Sequence, residues 1–153
     1  METGNDGSLL DHIQDELRGL GMVFDHLDES DELAMPSLLI DVPPDDEGRE
    51  RRLSLAVLPD DDTLGYLDLV QFYMDLPVSG SVREMAQRLP EVNQNSVLGH
   101  ASVREPDGEA YFRLMWPVGR GTEVDGDELL ELIQLFVFAA DLATAALGGA
   151  GTE

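Results

Sequence analysis

A chain of 153 residues that is 42% hydrophobic has enough apolar matter for one domain with a real core, and too much for general disorder. Its net charge of −23, with nine arginines and no lysine, repels nucleic acid phosphate and anionic lipid, so neither nucleic acid binding nor membrane insertion is expected. The absence of cysteine excludes disulfides, thiolate metal sites and thiol chemistry.

Residues 1–7 are polar, lack the basic start of a signal peptide and are expected to be disordered. Ser8 is the expected N-cap of a first helix, with Asp11 and Asp15 near its positive end. Leu10, Ile13, Leu17 and Leu20 then repeat at helical spacing, and Gly19 and Gly21 end the helix. Met22-Val23-Phe24 reads as a short extended piece and Asp25 to Glu32 as an acidic linker. The first strand is Leu38 to Val42, stopped by Pro43-Pro44. A second runs from Arg52 to Leu58, where Leu53, Leu55 and Val57 alternate against Arg52 and Ser54. A third runs from Tyr66 to Leu76, apolar on both phases, which marks a central or doubly covered strand. The short turns between these strands imply an antiparallel meander.

Pro77 to Gly80 reads as a break. Ser81 and Glu84 form a capping-box pattern for a second helix, with Val82, Met85, Ala86 and Leu89 on its apolar side and Pro90 expected to disturb or end it. A fourth strand lies near Val97 to Arg104, a hairpin turn at Pro106-Asp107-Gly108, and a fifth strand at Ala110 to Trp116. Acids at Asp125, Asp127 and Glu128 start a final helix that is apolar over most of its circumference and ends at Gly148-Gly149. Such a helix needs a second cover besides the sheet, either the first helix or another subunit. Glu131, Gln134 and Asp141 interrupt its apolar run, which argues against a bilayer span and makes cytoplasm the expected location. The domain expected from this order spans residues 8–147, with a flexible tail at 148–153.

Catalytic chemistry has little support. Asp60-Asp61-Asp62 lacks the spaced ligands of a calcium loop and reads as a solvated turn. His12, His26 and His100 show no metal-ligand spacing, so no metal and no cofactor are expected. Ser102 near His100 lacks the glycine-flanked turn of a hydrolase nucleophile, and Gly119-Arg120-Gly121 lacks the ending of a phosphate loop.

Several loose motifs in the second half are shared with one family. They are Asn93-Gln94-Asn95, Val97-Leu98-Gly99-His100, Pro106-Asp107-Gly108, Phe112 to Pro117, and the acid-started Asp127 to Leu147 helix, together with the Tyr66 to Pro77 strand. In this pattern the chain resembles the YbjN-type domain and its structural relatives, the class I type III secretion chaperones of the Tir-chaperone type. The Asp25 to Pro36 linker and the Arg49-Glu50-Arg51-Arg52 cluster depart from the secretion chaperones.

The expected fold is therefore α+β in the order α-β-β-β-α-β-β-α, a twisted antiparallel five-strand sheet with helices packed on it. The resemblance implies a bacterial, non-enzymatic protein-binding domain, acting as a chaperone-like adaptor or YbjN-type regulator. Its partner would be a protein, basic or partly unfolded, laying apolar side chains on exposed sheet or helix surface or adding a strand at a sheet edge. It also implies a homodimer helped by the second helix, for which Val82, Met85 and Leu89 are the candidates. Leu10, Ile13, Leu17, Tyr73 and Met115 are the candidates for the partner face. Ordinary core packing is the alternative for all eight, and the weightier one for the first-helix trio. Two other classes stay open. One is a small-molecule-binding domain or enzyme with a pocket between sheet and helices, marked by His100, Arg113 or Asp68. The other is a structural subunit of a larger assembly.

Overall fold

The computed structural model describes residues 5–28, 36–45, 47–58, 65–79, 81–104 and 108–149. The helices are α1 (Asn5–Gly19), α2 (Val82–Gln94) and α3 (Gly126–Gly149). The strands are β1 (Phe24–Leu27), β2 (Ser37–Val42), β3 (Arg51–Val57), β4 (Leu67–Ser79), β5 (His100–Arg104) and β6 (Glu109–Gly119). They form one antiparallel sheet in the order β1-β2-β3-β4-β6-β5, so the α+β expectation holds with six strands in place of five. The added strand is β1, which runs from the end of the extended piece read at Met22 to Phe24 into the stretch read as an acidic linker. Phe24 to Leu27 is too short and too charged to signal a strand, and pairing against Ile40 to Ser37 supplies what its own pattern lacks.

Three more expectations are corrected. The helix α2 passes through Pro90 and continues to Gln94. Buried Val92 and the Asn93 side chain hold its last turn: Asn93 Nδ2 donates to the Ala101 carbonyl at 3.1 Å and Asn93 Oδ1 accepts from the Ala101 N–H at 2.7 Å. These contacts offset the backbone bond that proline removes. The break expected at Pro77 is likewise absent, because its fixed φ suits the extended backbone of β4. Helix α1 starts at Asn5, three residues ahead of Ser8. Asp60 to Asp62, most of the Asp25 to Pro36 linker and Pro106-Asp107 lie outside the described residues.

The chain divides into two compact units, with the division falling inside β4, β6 and α3. The first unit holds α1, β1 to β3, β4 to Phe72, β6 from Met115 and α3 to Ile133. Antiparallel register places Leu38 opposite Leu55 and Ile40 opposite Leu53, all four fully buried. Phe72 meets Trp116 edge to face at 6.1 Å. Ile13 and Leu17 add the apolar side of α1 to this core. Each such residue contributes about 1.5–3 kcal/mol by leaving water. His12 ties α1 to the approach to α3, its Nε2 lying 3.0 Å from the Val124 N–H nitrogen. A Cβ on Gly126 would fall 2.5 Å from Glu16 Oε1, the flexible end of that side chain, which would have to shift.

The arginine cluster at β3 is neutralised within this unit. Arg52 pairs with Asp41 and Asp25, each at 2.9 Å, and Arg49 with Asp45 at 2.7 Å. Asp45 also accepts from the backbone N–H groups of Glu47 and Arg49, building the turn around one carboxylate. The Arg49 guanidinium hydrogen-bonded to it holds that carboxyl below its ordinary range.

The second unit holds β4 from Tyr73, α2, β5, β6 to Leu114 and the rest of α3. Its core contains Met74, Leu76, Met85, Val92, Ala110, Phe112 and Phe136, with the Phe112 and Phe136 rings 5.3 Å apart. Ser81 caps α2 by accepting the Glu84 N–H at 3.3 Å. Gly99 leads into β5 at φ +75°, where a Cβ would sit 2.7 Å from the Arg113 carbonyl oxygen.

Candidate protein-binding face

Helix α3 is apolar on two sides, and only one is used by the core. Leu129, Ile133, Phe136, Ala139, Ala140, Ala143 and Leu147 recur at helical spacing and are buried. On the other side Leu135, Phe138 and Leu142 are 48%, 54% and 48% exposed. Their 3- and 4-residue spacing keeps them within about 60° of arc, a seam roughly 10 Å long. By length and composition Gly126–Gly148 could cross a bilayer, and 33% of its most apolar window is buried inside the protein.

Beside this seam a groove of about 460 Å³ opens between α2 and α3 in the second unit. Val92 of α2 and Ala139, Leu142, Ala143 and Ala146 of α3 make its apolar wall, and Arg88 and Glu91 add charge. Small side chains on α3 create the space, because alanine leaves the helix surface low. Arg88 donates to the Leu147 carbonyl at 2.6 Å, which links α2 to α3 and places a cation at a helix C-terminal turn. Leu142 belongs to both the groove and the seam.

The outer sheet surface of the same unit is built differently. Tyr73 of β4 and Tyr111 of β6 stack with centroids 5.1 Å apart. Arg104 of β5 donates to the Tyr73 hydroxyl and, at 2.7 Å, to Glu109 Oε1, and its guanidinium lies 5.9 Å from the Tyr111 ring centre. The Tyr73 hydroxyl donates to Asp75 Oδ1 at 3.0 Å. Burial, followed by the hydrogen bond to Asp75, pushes the Tyr73 phenol up to about 12. Register sets Arg104 opposite Glu109 and Ser102 opposite Tyr111, so the cluster follows from strand pairing.

The residues singled out from the sequence fall into three environments. Leu10, Ile13 and Leu17 are core residues of the first unit, at 7%, 0% and 0% exposure, and in this arrangement give no surface to a partner. Met85 is buried too, whereas Val82 and Leu89 are half-buried on α2. Tyr73 and Met115 are half-buried, Tyr73 within the closed polar cluster. None of the eight forms the α3 seam. Its signal was present in the sequence, since Leu135, Phe138 and Leu142 lie on a helix apolar nearly all round.

The marks of a ligand pocket are scattered. Asp68 pairs with Arg120 at 3.2 Å in the first unit. His100 and Arg113 stand opposite each other on β5 and β6, with Arg113 Nε buried and lacking a hydrogen-bond partner. None of the three lines the groove. Among the described residues no three His, Asp or Glu side chains are grouped to hold a metal ion.

Comparison with known proteins decides the family. The YbjN family model, described as "Putative bacterial sensory transduction regulator", matches residues 9–148. The chain belongs to the YbjN family. Its structure is similar to the crystal structure of YbjN from E. coli, a protein described as a "putative transcription regulator", at a TM-score of 0.51 and 14% identity, covering 94% of this chain and 93% of that one. At that identity the likeness is one of fold. None of the curated proteins matches the chain. As a YbjN-family domain it falls in a family described by regulation, not by a reaction.

Proposed function

We propose that this YbjN-family chain is a non-enzymatic protein-binding domain that holds a segment of a partner protein, as a regulator or a chaperone-like adaptor. The observation that carries this reading is the seam of Leu135, Phe138 and Leu142, exposed at contiguous helical positions beside an apolar groove. Single exposed apolar residues are ordinary, but an aligned row of three next to a groove is the chemistry of helix-in-groove recognition. A regulatory role reached through a protein partner is also consistent with a net charge of −23, which opposes direct contact with nucleic acid.

The groove's volume lies within the roughly 300–1,000 Å³ of small-molecule sites, which keeps a ligand-binding reading in play. It is weakened by where His100, Arg113 and Asp68 sit, away from the groove. The test is affinity capture with mass spectrometry from the native cell, comparing the unaltered chain with a Phe138→Asp, Leu142→Asp double variant. At least one protein should be recovered with the former and lost with the latter. Identical captures would remove this face from consideration and the reading with it.

A further inference from the structure

We infer that the occupant of the α3 seam and its adjoining groove is a basic amphipathic helix of the partner protein. This rests on the protein-binding reading and goes beyond it by naming the partner's chemistry. Three features of α3 carry it. The first is the seam itself, whose 3- and 4-residue spacing matches the apolar stripe of another helix. The second is charge: α3 carries Asp127, Glu128, Glu131 and Asp141, all exposed, and no basic residue along its 24 residues. Glu128 and Glu131 fall on the same arc as Leu135 and Leu142, so the seam is continued toward its N-terminal end by carboxylates. The third is the groove, where Ala139, Ala143 and Ala146 leave room for a large apolar anchor beside Leu142.

A partner helix that buries leucines or aromatics along the seam therefore meets carboxylates at one end of it. Arginine or lysine in those positions completes the interface, and glutamate is repelled. The same reasoning disfavours a second copy of this chain. Two α3 helices packed in parallel would bring their carboxylates together, and packed antiparallel they would gain no ion pair between them, since neither carries a basic residue. An anionic membrane is disfavoured likewise, because helices that lie on such surfaces carry their basic residues beside the apolar face.

The probe is a pair of synthetic 18-residue helical peptides with the same leucine stripe, one with arginine and one with glutamate on its polar face, added to the full chain and followed by fluorescence anisotropy. The arginine peptide should bind at least about tenfold more tightly than its glutamate twin, and more weakly as salt is raised. Phe138→Asp should weaken that binding by about tenfold or more. This variant adds a negative charge, so attraction by the net charge alone would strengthen, and a loss therefore reports the seam. A combined Glu128→Gln, Glu131→Gln variant should narrow the gap between the two peptides. Circular dichroism of each variant verifies the fold.

Equal binding of the two peptides, binding of neither, or binding unaffected by Phe138→Asp overturns the inference. So does light scattering that shows a dimer dispersed by Phe138→Asp, which makes a second copy the occupant, or co-sedimentation with uncharged lipid vesicles abolished by that variant. If the peptides fail while a native partner is still lost with the Phe138→Asp, Leu142→Asp variant, the protein-binding reading stands and only the basic helix falls.

Discussion

Two exposed surfaces of the second unit make opposite use of their side chains. On the outer sheet surface Tyr73, Tyr111, Arg104, Asp75 and Glu109 satisfy one another by stacking, ion pairs and hydrogen bonds. On the outer side of α3, Leu135, Phe138 and Leu142 face water beside a groove. A surface whose polar groups are mutually satisfied gains little from a partner, because binding must break what is already made. A surface of unburied leucine and phenylalanine gains from any cover of matching shape. The half-buried tyrosines of the sheet are therefore weaker marks of a docking face than the unused apolar area on α3.

The largest effect expected from this contrast separates the two sides of α3. Phe136→Ala should cost about 3–5 kcal/mol in chemical denaturation, since it opens a cavity beside Phe112. Phe138→Ala, two residues on, should stay within about 0.5 kcal/mol. Similar costs for the two would mean that Phe138 is structural, and the contrast would collapse. Next in size is Asn93→Ala, which removes both hydrogen bonds to Ala101 and should cost about 1–2 kcal/mol. Its effect reports how far the wall of the groove depends on α2 being clamped to β5.

The smallest effect tests closure of the sheet cluster. Tyr73 holds its proton up to about 12, above the ordinary phenol value of 10.0, so the folded state keeps a proton that the unfolded chain releases. Its contribution to stability is complete below pH 10.0 and is lost as pH rises toward about 12. By tyrosinate absorbance Tyr73 should titrate well above the ordinary phenol value, and Tyr73→Phe should remove that late step. A Tyr73 that titrates at the ordinary phenol value of 10.0 would show the cluster to be open to water.

Much of the architecture is legible in periodicity. The alternation of Leu53 and Leu55 pointed to the face of β3 that is buried, and core packing was the weightier reading of the Leu10, Ile13, Leu17 stripe. The misses share one cause, which is tertiary contact overriding a local signal. Strand β1 exists because β2 offers it a partner, and α2 passes Pro90 because Val92 and Asn93 anchor its last turn. The candidate site was half legible. A final helix apolar nearly all round announced that its surface exceeds what one sheet face can cover, but pattern alone does not say which side stays bare.

By itself, then, the sequence determined the class of fold, the family pattern, the acidic field and the surplus of apolar surface on α3, since each is a property of residue type and spacing. Only the tertiary structure decided where that surplus lies. Packing of Phe136 on Phe112 sets the rotation of that part of α3, and rotation assigns Leu135, Phe138 and Leu142 to solvent. Strand register did the same for Tyr73, bringing Arg104, Glu109 and Tyr111 together from separate strands and closing a surface that sequence spacing had left open.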